Sequence, residues 1–241
     1  NYQNMRRISI IGKDIEKKEE FKQKLLDKGF EYVEENPNLV ICYGGDGIFL
    51  IADRVFPEVP KILIRGSKVS NNGIDCCIEE IIDKYERREF KIERIKKLKA
   101  TYKGEFETRS LIGVNDIVIR NSLPTEAIRF KVKIDCIDFA DGKEFIGDGV
   151  VISTPYGSSK GAYFYSITHN SFKEGIGLAF NNITEKQEHK ILGDGSKIEI
   201  EITRGPGVLV ADNNRDFINL EKGDKIIIEK IDDFAQRIIL N

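Results

Sequence analysis

Three short stretches hold residues able to do chemistry. In "YGGDGIF", residues 43–49, the carboxylate of Asp46 stands among Gly44, Gly45 and Gly47, directly after the apolar run "LVICY". Glycines let a backbone approach a ligand closely and adopt positive φ, and a helix that begins there offers N–H groups to an anion. Phosphate suits such a loop. Asp46 itself would repel phosphate, so its chemistry is that of a base towards a hydroxyl or of a partner to a metal-bound phosphate. In "FIGDGVVISTPYGSSKGAYFYS", residues 145–166, a strand stops at Pro155 and runs into small residues, then Tyr163 and Ser166. Hydroxyls, glycines and tyrosines gathered in a loop suit ribose, phosphate and base contacts. In "VNDIVIRN", Asn115 and Asp116 interrupt an apolar strand. An amide and a carboxylate there cost burial energy unless partnered, so they mark either a strand edge or bulge, or a pair that reads a ligand.

Each pattern has a plainer reading. Gly-Asp-Gly recurs at 45–47, 147–149 and 193–195, and the last copy, between "HKIL" and "SKIEIEIT", reads as a hairpin turn. The loop after Pro155 also fits a flexible surface connection.

The elements that must position these residues change character along the chain. Residues 6–90 alternate strands and helices. "RRISIIG", "LVICYGG" and "KILIRG" are strands, the second a continuous apolar run of the kind buried on both faces of a parallel sheet. "DIEKKEEFKQKLLDKG", "GIFLIADRVF" and "IEEIIDKYERREF" are helices, the first with Phe21, Leu25 and Leu26 at helical spacing and Gly29 as C-terminal cap. This alternation predicts a Rossmann-like α/β domain with a parallel sheet over residues 1–92. From residue 93 to 241 the chain reads as strands with period-two alternation, among them "SLIGVNDIVIRN", "AIRFKVKIDCIDF", "KIEIEIT" and "DKIIIEKI", separated by turns such as Asp141-Gly142 and Gly223-Asp224. That is an all-β domain, a β-sandwich or layered antiparallel sheet, whose C-terminal end is free to pack back on the first domain. The Lys and Arg residues of 94–99 read as one solvated strand face.

Composition excludes several classes. The 241 residues carry 38 Lys plus Arg against 40 Asp plus Glu, so charge gives no reason to expect nucleic acid or a membrane surface as partner. No apolar run approaches the ~20 residues of a spanning helix, and "NYQNMRRISIIG" has no signal-peptide layout. Cys42, Cys76, Cys77 and Cys136 form no CxxC pair and no cluster with His169 or His189, so no zinc site and no metal-ligating residue is predicted. Reduced, mostly buried thiols in a cytoplasmic protein are expected.

Taken together and in this order, GGDG at 44–47, Asn115-Asp116, Asp148-Gly149 and the Ser-Thr-Pro loop from Ser153 to Ser166 resemble the NAD kinase family over most of the chain. The resemblance implies an α/β domain and a β-rich domain with an active site between them. It implies phosphorylation of the 2′-hydroxyl of the adenosine ribose of NAD, using ATP or polyphosphate with Mg²⁺ or another divalent metal. Asp46 then matches the catalytic acid–base residue, and Gly44, Gly45 and Gly47 the phosphate and nucleotide contacts. Asn115, Asp116, Asp148, Thr154, Tyr156, Ser158, Gly161, Ala162, Tyr163, Ser166 and Asn182 match positions that hold NAD. A homodimer or homotetramer is the family's usual state. The loop "GSSKGAY" departs from the family pattern by two extra residues, with Gly161 in place of Thr and Tyr156 in place of a small polar residue. Two rival functions share the features: a lipid or sphingoid-type kinase with the same GGDG loop, and a non-catalytic dinucleotide-binding protein.

Overall fold

The computed structural model describes residues 6–66, 74, 77–159 and 162–241. The chain divides into two compact units, one formed by Asn1–Ile95 with Phe234–Asn241, the other by Lys96–Asp233.

The first unit runs β1 (Arg7–Gly12), α1 (Ile15–Asp27), β2 (Glu31–Tyr32), β3 (Leu39–Gly44), α2 (Asp46–Val55), β4 (Lys61–Arg65) and α3 (Ile78–Glu86). Its strands pair in parallel in the order β2-β1-β3-β4. β3 lies between two neighbours, and its first four residues, "LVIC", are all buried. One face of the sheet, through Ile8, Ile10, Leu39, Ile41, Ile62 and Ile64, packs against Phe21 and Leu25 of α1 and Ile78, Ile81 and Ile82 of α3. The alternate residues Val40, Cys42 and Leu63 are buried as well, on the face that α2 covers. Asp14 starts α1 by accepting a hydrogen bond from the Lys17 N–H at 3.0 Å, an N-cap that satisfies one of the orphan amides.

A buried ion pair fixes α2 to the sheet. Lys61, at the start of β4, is fully buried and bonds Asp53 of α2, itself 4% exposed. Burial pushes the neighbouring Cys42 thiol up to about 12, which leaves it an inert core residue.

The second unit contains most of β5 (Phe90–Lys103), then β6 (Thr108–Gly113), β7 (Asp116–Asn121), β8 (Ile128–Ile134), β9 (Ile137–Asp138), β10 (Phe145–Ser153), α4 (Tyr163–Thr168), β11 (Ile176–Ile183), β12 (Lys190–Leu192), β13 (Ile198–Arg204), β14 (Gly207–Ala211), β15 (Ile218–Leu220) and the larger part of β16 (Lys225–Leu240). The pairings among β6 to β15, of β5 with β6 and of β13 with β16 are antiparallel. β10 is the shared strand. On one edge it pairs β11 along its length; on the other its first residues pair β8 and its last pair β7. The sheet therefore splits into two layers at Asp148, one through β7 and β14, the other through β8 and β13, with Ile119, Phe130, Phe145, Ile152, Ile200 and Leu209 in the shared core. Gly149 makes the split possible: its φ is +142°, and a Cβ there would lie 1.9 Å from the Ile119 carbonyl oxygen.

Several expectations need correction. The stretch 110–121 is two strands, β6 and β7, separated at Val114-Asn115. Lys97 is 2% exposed and paired with Asp233, so the basic run at 94–99 is not uniformly solvated; a cation so placed is buried with its counter-ion. Among the described cysteines only Cys42 is buried, whereas Cys77 and Cys136 are exposed; Cys76 lies outside the described residues. The third Gly-Asp-Gly is a turn closed by the Ser196 N–H on the Gly193 carbonyl, but it joins β12 to β13, which pair with different strands and form no hairpin.

Removing one member of a buried ion pair leaves the other uncompensated, at a cost of about 3–5 kcal/mol. Asp53→Ala is expected to lower the urea unfolding free energy by that amount, and Asp53→Leu combined with Lys61→Met to recover most of it. Equal losses in both proteins would show that the pair is not what holds α2.

Candidate functional site

In the first unit, the candidate residues sit where β3 ends and α2 begins. This is the carboxyl end of a central parallel strand, the usual ligand end of such sheets. Gly44 leaves β3 with a φ of +147°, and a Cβ on it would meet the Ile48 side chain at 2.7 Å. Its glycine is thus dictated from within the protein. Gly45 differs. It is the N-cap of α2 in extended conformation, no side chain caps that end, and nothing lies within 4 Å of the position its Cβ would take. Asp46 opens the helix; it is half-buried, and its Oδ1 is buried without a hydrogen-bond partner.

In the second unit, the candidates converge on the turn between β6 and β7. Register places Ser153, the last residue of β10, opposite Asp116, the first of β7. The Thr154 N–H donates to the Asn115 carbonyl at 2.9 Å, and the Thr154 hydroxyl donates to the Val114 carbonyl at 2.7 Å while accepting from the Gly157 N–H at 2.9 Å. Gly157 lies so close to Asn115 that a Cβ would fall 2.2 Å from its carbonyl oxygen. Ser158 is fully buried; its hydroxyl donates to the Pro155 carbonyl and accepts from the Phe172 N–H. The hydroxyls of Thr154 and Ser158 are therefore spent inside the loop. They shape it rather than face a ligand, and this revises the contacts expected for them. Tyr156 is half-buried in the same turn.

The residue types that could read a ligand remain open. Asn115 Oδ1 and Asp116 Oδ1 are both buried without a hydrogen-bond partner. Burial pushes the Asp116 carboxyl up to about 7; the nearby Asp212 carboxylate acts in the same direction, while hydrogen bonds from Ser153 and from the Tyr163 backbone N–H oppose it. The short helix α4 follows the loop, an element the sequence pattern did not announce. Ala162 is its N-cap, Tyr163 is 51% exposed, and the Ser166 hydroxyl donates back to the Tyr163 carbonyl at 2.7 Å. Gly161 lies outside the described residues.

Asp148 and Asn182 form a separate pair: the Asn182 amide donates to Asp148 Oδ2 at 3.0 Å. Asp148 precedes Ser153 by five residues on β10, about 17 Å at the rise of a strand. The pair is therefore not part of the cluster around Asn115 and Asp116. Asp212 was missed. Its carboxylate accepts from the N–H groups of Val114, Asn115 and Asp116, yet in the sequence it is only the acid of "ADNN", a turn after a strand.

The fold has known counterparts. The NAD kinase of Clostridium perfringens (strain ATCC 13124) is 27% identical over 220 residues, which cover 83% of this chain and 74% of that protein. Among solved structures, yeast NADH kinase complexed with NADH superposes with a TM-score of 0.81 at 16% identity, covering 99% of this chain and 84% of that one. An NAD kinase from Archaeoglobus fulgidus in complex with ATP superposes with a TM-score of 0.79 at 18% identity, covering 98% and 94%. No family model matches the chain. These comparisons support assignment of the chain to the NAD kinase family. The NAD kinase-like fold, a mixed sheet with many strands and few helices, accounts for both sets of residues lying at strand ends. Among the described residues no group of three or more His, Cys, Asp or Glu is arranged to hold a metal ion, and no helix is long and apolar enough to cross a membrane.

Two expectations follow. Gly44→Ala forces a non-glycine residue into strained φ and against Ile48, a cost of about 1–3 kcal/mol, whereas Gly45→Ser, a favoured N-cap type with open space for its side chain, should leave stability within about 0.5 kcal/mol; urea melts of the two variants check this, and equal losses would refute the distinction. Asp116 keeps its proton to about pH 7 when folded, but an unfolded Asp releases it near 3.9. Between those values the folded state binds more protons, so this group makes stability fall as pH rises through the window. The Asp116→Asn variant should therefore gain on the wild type steadily from about pH 4 to pH 7 in urea midpoint; a pH-independent difference would contradict the raised carboxyl.

Proposed function

We propose that this protein is an NAD kinase, transferring a phosphoryl group from ATP to the 2′-hydroxyl of the adenosine ribose of NAD. The observation that carries the reading is the buried, unpartnered Oδ1 of Asp46, set beside a glycine whose Cβ position is open. A carboxylate oxygen in that state lacks a donor, and a substrate hydroxyl supplies one. Asp46 then accepts the proton of the attacking hydroxyl, a contribution of roughly 10²–10⁴ in rate. Gly45, with nothing within 4 Å of its Cβ position, lets phosphate oxygens approach the start of α2, where the helix dipole favours negative charge.

The acceptor is read in the second unit. Asn115 Oδ1 and Asp116 Oδ1 both need donors, and an adenosine offers an exocyclic amine and ribose hydroxyls. The exposed Tyr163 ring, at the start of α4, offers a face for the base. A donor bonded to Asp116 favours its charged form and offsets the desolvation that raises it. Donors on polar acceptors of this kind do not suit the head of a long-chain lipid, and the relatives compared are NAD(H) kinases, so the lipid-type reading is not favoured. The non-catalytic reading gives no use for the retained Asp46 carboxylate.

Side chains of the described residues build no metal cage. A divalent cation would be held through the donor phosphates, with Asp46 the carboxylate of the glycine loop in reach, an arrangement usual for Mg²⁺; it would neutralise charge on the transferring group. The exposed free thiols of Cys77 and Cys136 fit a reducing, cytoplasmic setting.

Incubation with NAD, ATP and Mg²⁺ is expected to yield NADP. Asp46→Asn should lower kcat by at least about a hundredfold while NAD binding, followed by calorimetry, stays within a few-fold of wild type. Parallel loss of binding and turnover would make Asp46 a structural residue and remove the basis of the assignment.

A further inference from the structure

We infer that Asp212 is a positioning residue for the loop that reads the dinucleotide, an inference that rests on the NAD kinase reading above. β14 ends at Ala211, opposite Ile117 of β7, so the next residue overhangs the turn that precedes β7. The Asp212 N–H donates to the Asp116 carbonyl at 2.9 Å. With a φ of +50°, a conformation Asp tolerates better than most residues, Asp212 returns its carboxylate to that turn. Oδ2 accepts from the Val114 N–H at 2.8 Å; Oδ1 accepts from Asn115 at 2.7 Å and from Asp116 at 3.1 Å.

Three successive amides converging on one carboxylate form a concave anion nest, and bonds to a charged acceptor are the stronger kind. These amides have no ladder partner of their own, because the chain is turning from β6 into β7. Gly113 keeps room for the arrangement: a Cβ there would lie 3.2 Å from Asp212 Oδ1 and 2.9 Å from the Asp116 carbonyl. Asp212 thus fixes the backbone from which Asn115 and Asp116 project, and it does so without itself being an open acceptor. Thr154 and Gly157 hold the same turn from the β10 side, so the turn is clamped between two strands while the Oδ1 atoms of Asn115 and Asp116 keep no hydrogen-bond partner in the protein.

The test combines a readout of the loop with a readout of the reaction. In Asp212→Ala, amide hydrogen exchange at Val114, Asn115 and Asp116 is expected to quicken at least about tenfold, with residues 150–152 of β10 unchanged. The KM for NAD should rise about tenfold or more while the KM for ATP stays within about twofold. Asp212→Asn, which keeps one acceptor oxygen, should fall between Ala and wild type, a graded rescue that a merely structural role would not give. Gly113→Ala crowds the same carboxylate and should raise the KM for NAD in the same sense. If Asp212→Ala does not fold, Asp212→Asn and Gly113→Ala carry the test. Unchanged exchange at 114–116, or equal rises in both KM values, would overturn the inference. A wild type that makes no NADP would instead overturn the NAD kinase reading, and the exchange data would still report whether Asp212 holds the loop.

Discussion

A buried oxygen acceptor without a donor costs about 1–3 kcal/mol, and among the described residues both motifs hold such acceptors, as do Asn121 and Thr203 elsewhere. Asp46 Oδ1, Asn115 Oδ1 and Asp116 Oδ1 are all in that state. Each stands at the end of a strand, on backbone that internal contacts hold in place. The protein thus keeps its polar groups short of hydrogen-bond donors at the points where a nucleotide would provide them. The raised carboxyl of Asp116 reports the same tension, since burial without enough donors favours the protonated form.

The rest of each unit serves to keep those acceptors in place. In the first, the Lys61–Asp53 pair anchors α2 on the sheet, and Gly44 turns the chain so that Asp46 opens the helix. In the second, β10 passes from one layer to the other at Gly149 and ends beside Asp116. Its continuation through Thr154 and Gly157 braces the Val114-Asn115 turn on one side, and Asp212 braces it on the other. The glycines therefore divide by cause. Gly44, Gly149 and Gly157 are required by φ or by a neighbouring backbone, and Gly45 by neither. That contrast separates glycines of the scaffold from one facing open space.

What the sequence made legible was local. The apolar run into GGDG marks a buried parallel strand and a helix start, because period and glycine placement act within a few residues. Asn115-Asp116 stands out because two polar residues break an apolar pattern. What depends on long-range register was hidden. Asp212 acts on residues 96–98 positions earlier, through a β7–β14 pairing no local pattern announces. Lys97 carries the same charge as the less buried Lys96 and Lys99, and Asp233 meets it in the interior. Thr154 and Ser158 carry hydroxyls suited to a ligand but spend them internally, and α4 escaped notice because its six residues are too short a stretch for helical periodicity to show.

The most direct test of the central claim is a crystal structure of the protein with NAD bound. The account predicts that donor groups of the dinucleotide lie about 2.7–3.2 Å from Asn115 Oδ1 and Asp116 Oδ1. NAD bound elsewhere, or bound with those oxygens still lacking donors, would contradict it.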